Sequence, residues 1–558
     1  MMVFRSPHPD VDIPKLDLLT WLFPQHQPVS ESPIWIDAVN PSKSVSPAEL
    51  LMWAKRLGIG LNRLGVQPGE IVLIYTPNHI FVPVAYIGIV GNTRAFSAIN
   101  PVSTVNEVVH QLKDSQAKAL LVHPNMVKNA ILAAEEAGLP KYRIFQFNDE
   151  YCEEFDGIRD WTKMLGSPQE AMSLQWKKLD TESTTTLATV NYSSGTTGLP
   201  KGLRISHFNL IANVVQIIAC LWPHADITRG KVVQERWLGF VPFYHAYGQM
   251  FTTLIALKMN FTVYIMKQFV FSDYLQHIQD YKISHLQVVP PILVMMIKRP
   301  ETTQYDLKSV QGIFCAAAPL SSKLQSLVAQ KFKVDIIQGW GMTELTCGGI
   351  LQQESDDTET VGKLLPNHEC KLVDDEGNEV GYDTPGEIYI RAPNVCMGYF
   401  NNKQATNDTI TEDGWLRTGD IAIVDKRGCF QIVDRKKELI KVNALQVAPA
   451  ELEATLLEHE DVEDAAVTGI KLLDEEWPRA YVQLRDQAKG RVTAKDIQDW
   501  IAARKAKHKH LMGGVMFVDE VPKLASGKIQ RKVLREWAKR DIPIVEKELN
   551  GKNLRAKL

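Results

Sequence analysis

The stretch Tyr192-Ser193-Ser194-Gly195-Thr196-Thr197-Gly198-Leu199-Pro200-Lys201-Gly202 decides how this 558-residue chain is read. Its glycines let backbone amides crowd an anion with no Cβ in the way. Its four hydroxyls add donors, and Lys201 adds a point charge. That is chemistry for holding phosphates. The spacing GxxxxGK[ST] is absent, so this is not a Walker A loop. A Ser/Gly linker would not alternate hydroxyls with a Pro-Lys-Gly end.

Outward from the loop, an apolar patch at 187–190 precedes it and a helical pattern starts near 208. Upstream, strand runs at 70–75, 117–122 and 143–147 alternate with helical patterns at 82–90 and 126–137. Downstream, strand runs at 285–289, 310–315 and 334–337 enclose a helical pattern at 321–331. Such alternation predicts βαβ units and parallel sheet. From about 386 the texture changes to short alternating strands at 387–391, 421–424 and 430–433, with turns at Asp413-Gly414 and Arg427-Gly428. A charged break, Asp434-Arg435-Lys436-Lys437-Glu438, then leads into helical patterns at 449–458, 494–507 and 532–539 and strands at 465–470 and 480–484.

Single cores stop growing at roughly 250–300 residues, so at least two domains are expected. The formal net charge of -3 gives no reason to expect nucleic acid or an anionic membrane as partner. The seven cysteines are scattered without a CxxC pair, which argues against a zinc site or disulfide framework. No apolar run of signal-peptide type opens the chain, and none is long enough for a membrane span.

Five further runs stand in order: Pro242-Phe243-Tyr244-His245, Gln338-Gly339-Trp340-Gly341-Met342-Thr343-Glu344, Gly414-Trp415-Leu416-Arg417-Thr418-Gly419-Asp420, the break continued to Leu439-Ile440-Lys441, and Pro522-Lys523-Leu524-Ala525-Ser526-Gly527-Lys528. With the loop, they resemble the signatures of the adenylate-forming superfamily, which includes acyl-CoA synthetases, 4-coumarate–CoA ligases, firefly luciferases and peptide-synthetase adenylation domains. The resemblance covers nearly the whole chain and comes nearest to coumarate-ligase-like and peroxisomal acyl-CoA ligases. It implies a large N-terminal α/β domain with a β-barrel-like part, residues 1–436. A smaller mobile α+β domain, 437–555, would follow.

The same resemblance implies roles. Ser193, Ser194, Gly195, Thr196, Thr197 and Lys201 would hold ATP phosphates. Glu344 would bind Mg²⁺, which takes one or two carboxylates plus phosphate oxygens. Thr343 would donate to the α-phosphate. Trp340, where relatives usually carry Tyr, would stack on adenine, with Gln338, Gly339 and the run Ala316-Ala317-Ala318 lining adenine and acyl pocket. Asp420 and Arg435 would contact ribose, and Lys437 would be the pivot of the small domain. Lys528 would reach the α-phosphate and the acyl carboxylate, a cation between two approaching anions.

His245 and Tyr247, with Phe251, Ala317 and Gly339, would shape the acyl pocket. No acid lies between Val241 and Lys258, so a substrate ammonium would be buried unpaired, which disfavours an amino acid. Lys441 and Gln446 match the positions that serve transfer to CoA. Where coumarate ligases have Lys-Gly, this chain has Asn443-Ala444. Lys267 falls where relatives place a lysine on CoA phosphate. The expected substrates are a carboxylic acid (aryl, medium-chain or specialised), ATP and CoA. The alternatives are an adenylating enzyme with another acceptor, luciferase-like or peptide-synthetase-like, or an inactive nucleotide-binding protein. Ala556-Lys557-Leu558 is a variant of the Ser-Lys-Leu address; a peroxisomal import receptor and a peroxisomal location are expected from it, otherwise a cytoplasmic one.

Overall fold

The strand Ile71–Tyr75 is apolar at every position, and a strand of this kind must be covered on both faces. Val72 and Ile74 enter one core, while Ile71, Leu73 and Tyr75 enter another. Full burial of each such side chain stabilises by about 1.5–3 kcal/mol. The computed structural model describes residues 2–193, 200–225, 234–353, 356, 358–442, 445–472, 475–524 and 527–550. Ser194, Gly195, Thr196 and Thr197, the Asn443-Ala444 pair and the tail 556–558 lie outside them.

Ile71–Tyr75 belongs to a seven-stranded sheet that runs, in spatial order, Lys201–Ser206, Leu187–Ser193, Ala95–Ile99, Ile71–Tyr75, Ala119–Val122, Ile144–Gln146 and Arg159–Asp160. All its neighbours pair parallel except the edge strand Lys201–Ser206. That edge strand was not anticipated from the sequence. Leu203 and Ile205 alternate into the core, but the run is short and ends in the Ser206 cap of the helix His207–Leu221.

A nine-stranded sheet holds the second half of the domain. Trp35–Asp37, Thr262–Ile265, Arg236–Gly239, His285–Val288, Gly312–Cys315 and Asp335–Trp340 run parallel, with antiparallel strands at both edges. Residues of both sheets share one hydrophobic core. The helix Val82–Gly91 lies inside it with every residue buried, which fits its lack of a polar face.

The expected barrel-like part is a six-stranded antiparallel sheet with a core of its own. Its end strands, Phe4–Arg5 and Phe430–Arg435, are not hydrogen-bonded to each other among the described residues. It curls until Phe4 and Phe430 meet edge to face at 6.4 Å.

Past Asp434 a separate core begins at Ile440, around the hairpin Val462–Leu472 and Glu475–Leu484 and the helices Pro449–Leu457, Ala494–Ala502 and Arg531–Asn550. The helix expected over 494–507 stops at Ala502, because Lys505 and Lys509 turn back onto Glu451 at 2.8 and 2.6 Å. The last helix runs well past 539, since Ile542 and Val545 still pack on this core.

Candidate active site

Ligand sites in parallel α/β sheets form beyond the carboxyl ends of the strands. Here Ala316 and Ala317 follow the strand Gly312–Cys315, and Gly341, Met342 and Thr343 follow Asp335–Trp340. His245, Tyr247 and Phe251 come from the segment after Arg236–Gly239. Together they line a cavity with about 520 Å³ of unfilled space, its mouth included. Phe251 stands on a π-helical turn, Gln249–Ile255, a distortion that recurs at functional sites. Ala317 holds a left-handed backbone, φ 74, unusual for a residue with a Cβ.

Lys528 of the small domain lines the same cavity. Gly527 brings it there. Its φ is +79, and a Cβ would meet Val289 at 3.1–3.3 Å and Pro291 at 3.4 Å. Lys298 donates to the Val462 carbonyl, and Lys323 pairs with Glu458 at 3.0 Å, and these contacts help seat the small domain on the large one. Burial lowers the pKa of the Lys528 ammonium, and Arg435 adds to this; Glu344, Asp420 and Cys347 oppose it. Burial and the Lys528 charge push His245 down to about 3, so its imidazole is neutral at physiological pH.

On the other side Trp340 is buried and donates its indole N–H to Asp420 Oδ2 at 2.8 Å. Arg435 Nε lies 3.2 Å from Asp420 Oδ1. The aromatic expected on adenine is thus tied to the carboxylate expected on ribose. Glu344 is buried beside Thr343 and accepts the Tyr399 hydroxyl at 3.0 Å. Lys201 Nζ stands 5.5 Å from the centre of the Tyr399 ring, a cation–π distance. Lys201 also pairs with Ser193 in the antiparallel hairpin formed by the strands Leu187–Ser193 and Lys201–Ser206. That hairpin has a firm base: Tyr192 donates to Asp114 at 2.6 Å, and His110 lies 2.9 Å from the Pro200 carbonyl.

The structure therefore gathers His245, Tyr247, Phe251, Ala317, Gly339, Trp340, Thr343 and Lys528 around one cavity. Glu344, Asp420 and Arg435 adjoin it through the bonds above. Other expected residues stand elsewhere. Gln338 is not on the cavity wall; its amide donates to Gln325 at 2.6 Å inside a buried glutamine cluster with Gln352. Lys437 is exposed at the junction of the domains. Lys441 and Gln446 pair across a two-stranded ribbon outside the cavity, with Gln446 3.3 Å from Asp375. Lys267 is held between Asp37 at 3.1 Å and Asp149 at 2.7 Å, so its charge is already spent on carboxylates.

Sequence reasoning missed Phe314, Cys347, Leu351 and Ile217 on the wall and Tyr399 behind Glu344. Phe314 had a usable signal: it sits at the carboxyl end of a core strand, just before the alanine run. Tyr399 had none, because its role depends on a residue 55 positions away.

Comparison with known proteins agrees with this geometry. The family model of the AMP-binding enzyme matches residues 25–400, and that of the AMP-binding enzyme C-terminal domain matches 451–528. The chain is 34% identical over 547 residues to the phenylacetyl-CoA ligase epaB of Aspergillus niger, covering 95% of this chain and 98% of that one. It is 33% identical to 4-coumarate–CoA ligase-like 1 of Arabidopsis thaliana, over 96% of each chain. The solved structure of the anthranilate CoA ligase AuaEII with anthranoyl-AMP superposes with a TM-score of 0.82 at 25% identity, over 94% of this chain and 96% of that one. On sequence match and fold alike, the chain belongs to the AMP-binding enzyme family.

Proposed function

We propose that this enzyme is an AMP-forming acid–thiol ligase, which activates a carboxylic acid as its acyl adenylate and passes the acyl group to coenzyme A. The observation that carries the reading is Lys528, delivered by one domain into a cavity whose other walls come from the second. In the first step a carboxylate oxygen attacks the α-phosphorus of ATP, and the bond to the bridging oxygen breaks to release pyrophosphate. Lys528 stands where two anions converge and offsets their repulsion. Thr343 donates beside it, Trp340 offers a π-face to the base, and Asp420 with Arg435 receives the ribose. In the second step the CoA sulfur attacks the acyl carbonyl. The carbon–oxygen bond to AMP breaks, and the thiol proton is lost to solvent.

Glu344, a buried carboxylate beside Thr343, fits a Mg²⁺ ion shared with phosphate oxygens. Bound there, the ion would neutralise charge on the pyrophosphate leaving group. Lys441 and Gln446 stand outside the cavity, which supports a rotation of the small domain about Lys437 before the second step. The names of the relatives, phenylacetyl-CoA and 4-coumarate–CoA ligases, support CoA as acceptor. A peroxisomal location is proposed from residues 556–558 alone, and a fluorescent fusion with and without Leu558 tests it. The activity is tested by ATP–pyrophosphate exchange with a panel of acids, followed by thioester formation with CoA. Exchange and thioester are both expected; no exchange with any aryl or aliphatic acid would refute the ligase reading. Exchange without thioester would leave an adenylating enzyme with another acceptor.

A further inference from the structure

The acyl end of the cavity is a wall of rings whose hydrogen-bond donors are already used. Phe251 stacks on Phe314 at 4.7 Å between centroids, with Tyr247 edge-on to both at 5.1 and 5.8 Å. The Tyr247 hydroxyl donates to the Phe314 carbonyl at 3.2 Å, and the Trp340 N–H is spent on Asp420. Leu351 and Ile217 complete that wall. Lys528, His245 and Thr343 are the strong hydrogen-bonding side chains left on the lining, and the Lys528 charge acts on His245 and Cys347. Gly339 lets this wall close up: Phe314 Cζ and Leu351 Cδ2 pack so near its backbone that a Cβ there would come within 2.8 Å of both. The Ala317 methyl, kept despite a left-handed backbone, narrows the lining further.

From this arrangement we infer that the substrate is a compact carboxylic acid whose carboxylate is its only polar group, an unsubstituted arene acid above all. A ring hydroxyl would reach a wall with no free side-chain donor, the Tyr247 hydroxyl having spent its proton on Phe314, and would lose most of its water without replacement. Phe314, together with Gly339 behind it, sets this selectivity. The inference rests on the ligase reading above and goes one step further, to the class of acid.

Matched pairs of acids test it: phenylacetate against 4-hydroxyphenylacetate, and trans-cinnamate against 4-hydroxycinnamate, in ATP–pyrophosphate exchange with the full-length enzyme. An apolar pocket rejects an added hydroxyl by at most about 100-fold. The unsubstituted member of each pair is expected to win in kcat/KM by at least about tenfold, ~1.4 kcal/mol. Equal or faster turnover of the hydroxylated acids overturns the inference and leaves the ligase reading standing. No exchange with any of the four or with straight-chain acids sinks both. Phe314→Ala supplies an independent arm. It is expected to narrow the ratio within each pair to below about threefold, because opening the wall admits water to the hydroxyl. An unchanged ratio in an active Phe314→Ala enzyme removes Phe314 from the role; should that variant fail to fold, Phe314→Leu is read the same way.

Discussion

Removing the Trp340 indole N–H while keeping a ring is the sharpest single test of the nucleotide side. The bond to Asp420 Oδ2 is 2.8 Å long, and its two residues are 9% and 5% exposed. A buried hydrogen bond to a charged group contributes about 1.5–3 kcal/mol, because the carboxylate oxygen left behind has no water to turn to. At ~1.36 kcal/mol per decade this is roughly a 10- to 150-fold effect. The freed carboxylate can swing, and Arg435, half-exposed at 3.2 Å, restrains one oxygen only. Trp340→Phe should therefore raise the KM for ATP about tenfold or more in pyrophosphate exchange, with kcat within about threefold. Phenylalanine also leaves space, so the single variant mixes two effects. A double-mutant cycle with Asp420→Asn separates them. A coupling of about 1–2 kcal/mol is expected. Coupling below ~0.5 kcal/mol, or a KM for ATP that does not move, would refute the claim that Trp340 positions the ribose carboxylate.

Other perturbations follow from the docked domain and the pocket. Lys528→Ala should slow adenylation by about 10²–10³, the cost of losing one preorganised donor at a developing charge. Thioester formation from supplied acyl adenylate should change by under about tenfold on the same comparison; equal losses in both half-reactions would contradict its role. Gly527→Ala strains a φ of +79 and presses on Val289, so adenylation should fall about tenfold while the thermal midpoint shifts by only a few degrees. Ala317→Gly relieves a φ of 74 and removes a methyl from the lining. Its stability, followed by urea unfolding, should hold or rise by up to ~1 kcal/mol, and turnover should shift toward bulkier acids.

Runs that hold their residues close together were the easiest to read. The Thr343-Glu344 pair and the Gly527-Lys528 turn are each complete within a few residues, and Thr343 and Lys528 stand on one cavity wall, while loop residues 194–197 lie outside the described ones. The acyl pocket was half legible: His245, Tyr247, Phe251, Ala317 and Gly339, named from the resemblance of the surrounding motifs, all line the cavity. What escaped depends on contacts between distant positions. The Trp340–Asp420 bond spans 80 residues and the Lys267–Asp149 pair 118. Nothing local marks Lys267 as neutralised or Gln338 as absorbed by Gln325. The ribbon that carries Lys441 and Gln446 lends Ile440, Val442 and Val447 to the second core. Its distance from the cavity is a property of how two cores are seated, which no pattern within either core encodes.

Lys528 also links that seating to pH. Its ammonium is buried with Arg435 as a like-charged neighbour, and both lower its pKa; Glu344 and Asp420 only partly restore it. A lowered pKa means the charged form is lost earlier as pH rises. ATP and the acid bring anions to the same point, and opposite charge at close range favours the ammonium. The pKa must therefore be higher in the ternary complex than in the free enzyme. The alkaline limb of kcat/KM, which reports free enzyme, should fall at lower pH than the limb of kcat, which reports the complex. His245 should add no acid limb above pH 5, since its pKa lies at about 3. Lys528→Arg, charged throughout, should remove the difference between the two alkaline limbs even where its rate is reduced. Coincident limbs in the unmodified enzyme, or a separation that survives Lys528→Arg, would show that another group governs the alkaline loss. The same electrostatics gives the cycle a direction. Departure of pyrophosphate removes negative charge from around a buried cation, so the docked arrangement is weakest when the adenylate is complete, the point at which the proposed rotation of the small domain would begin.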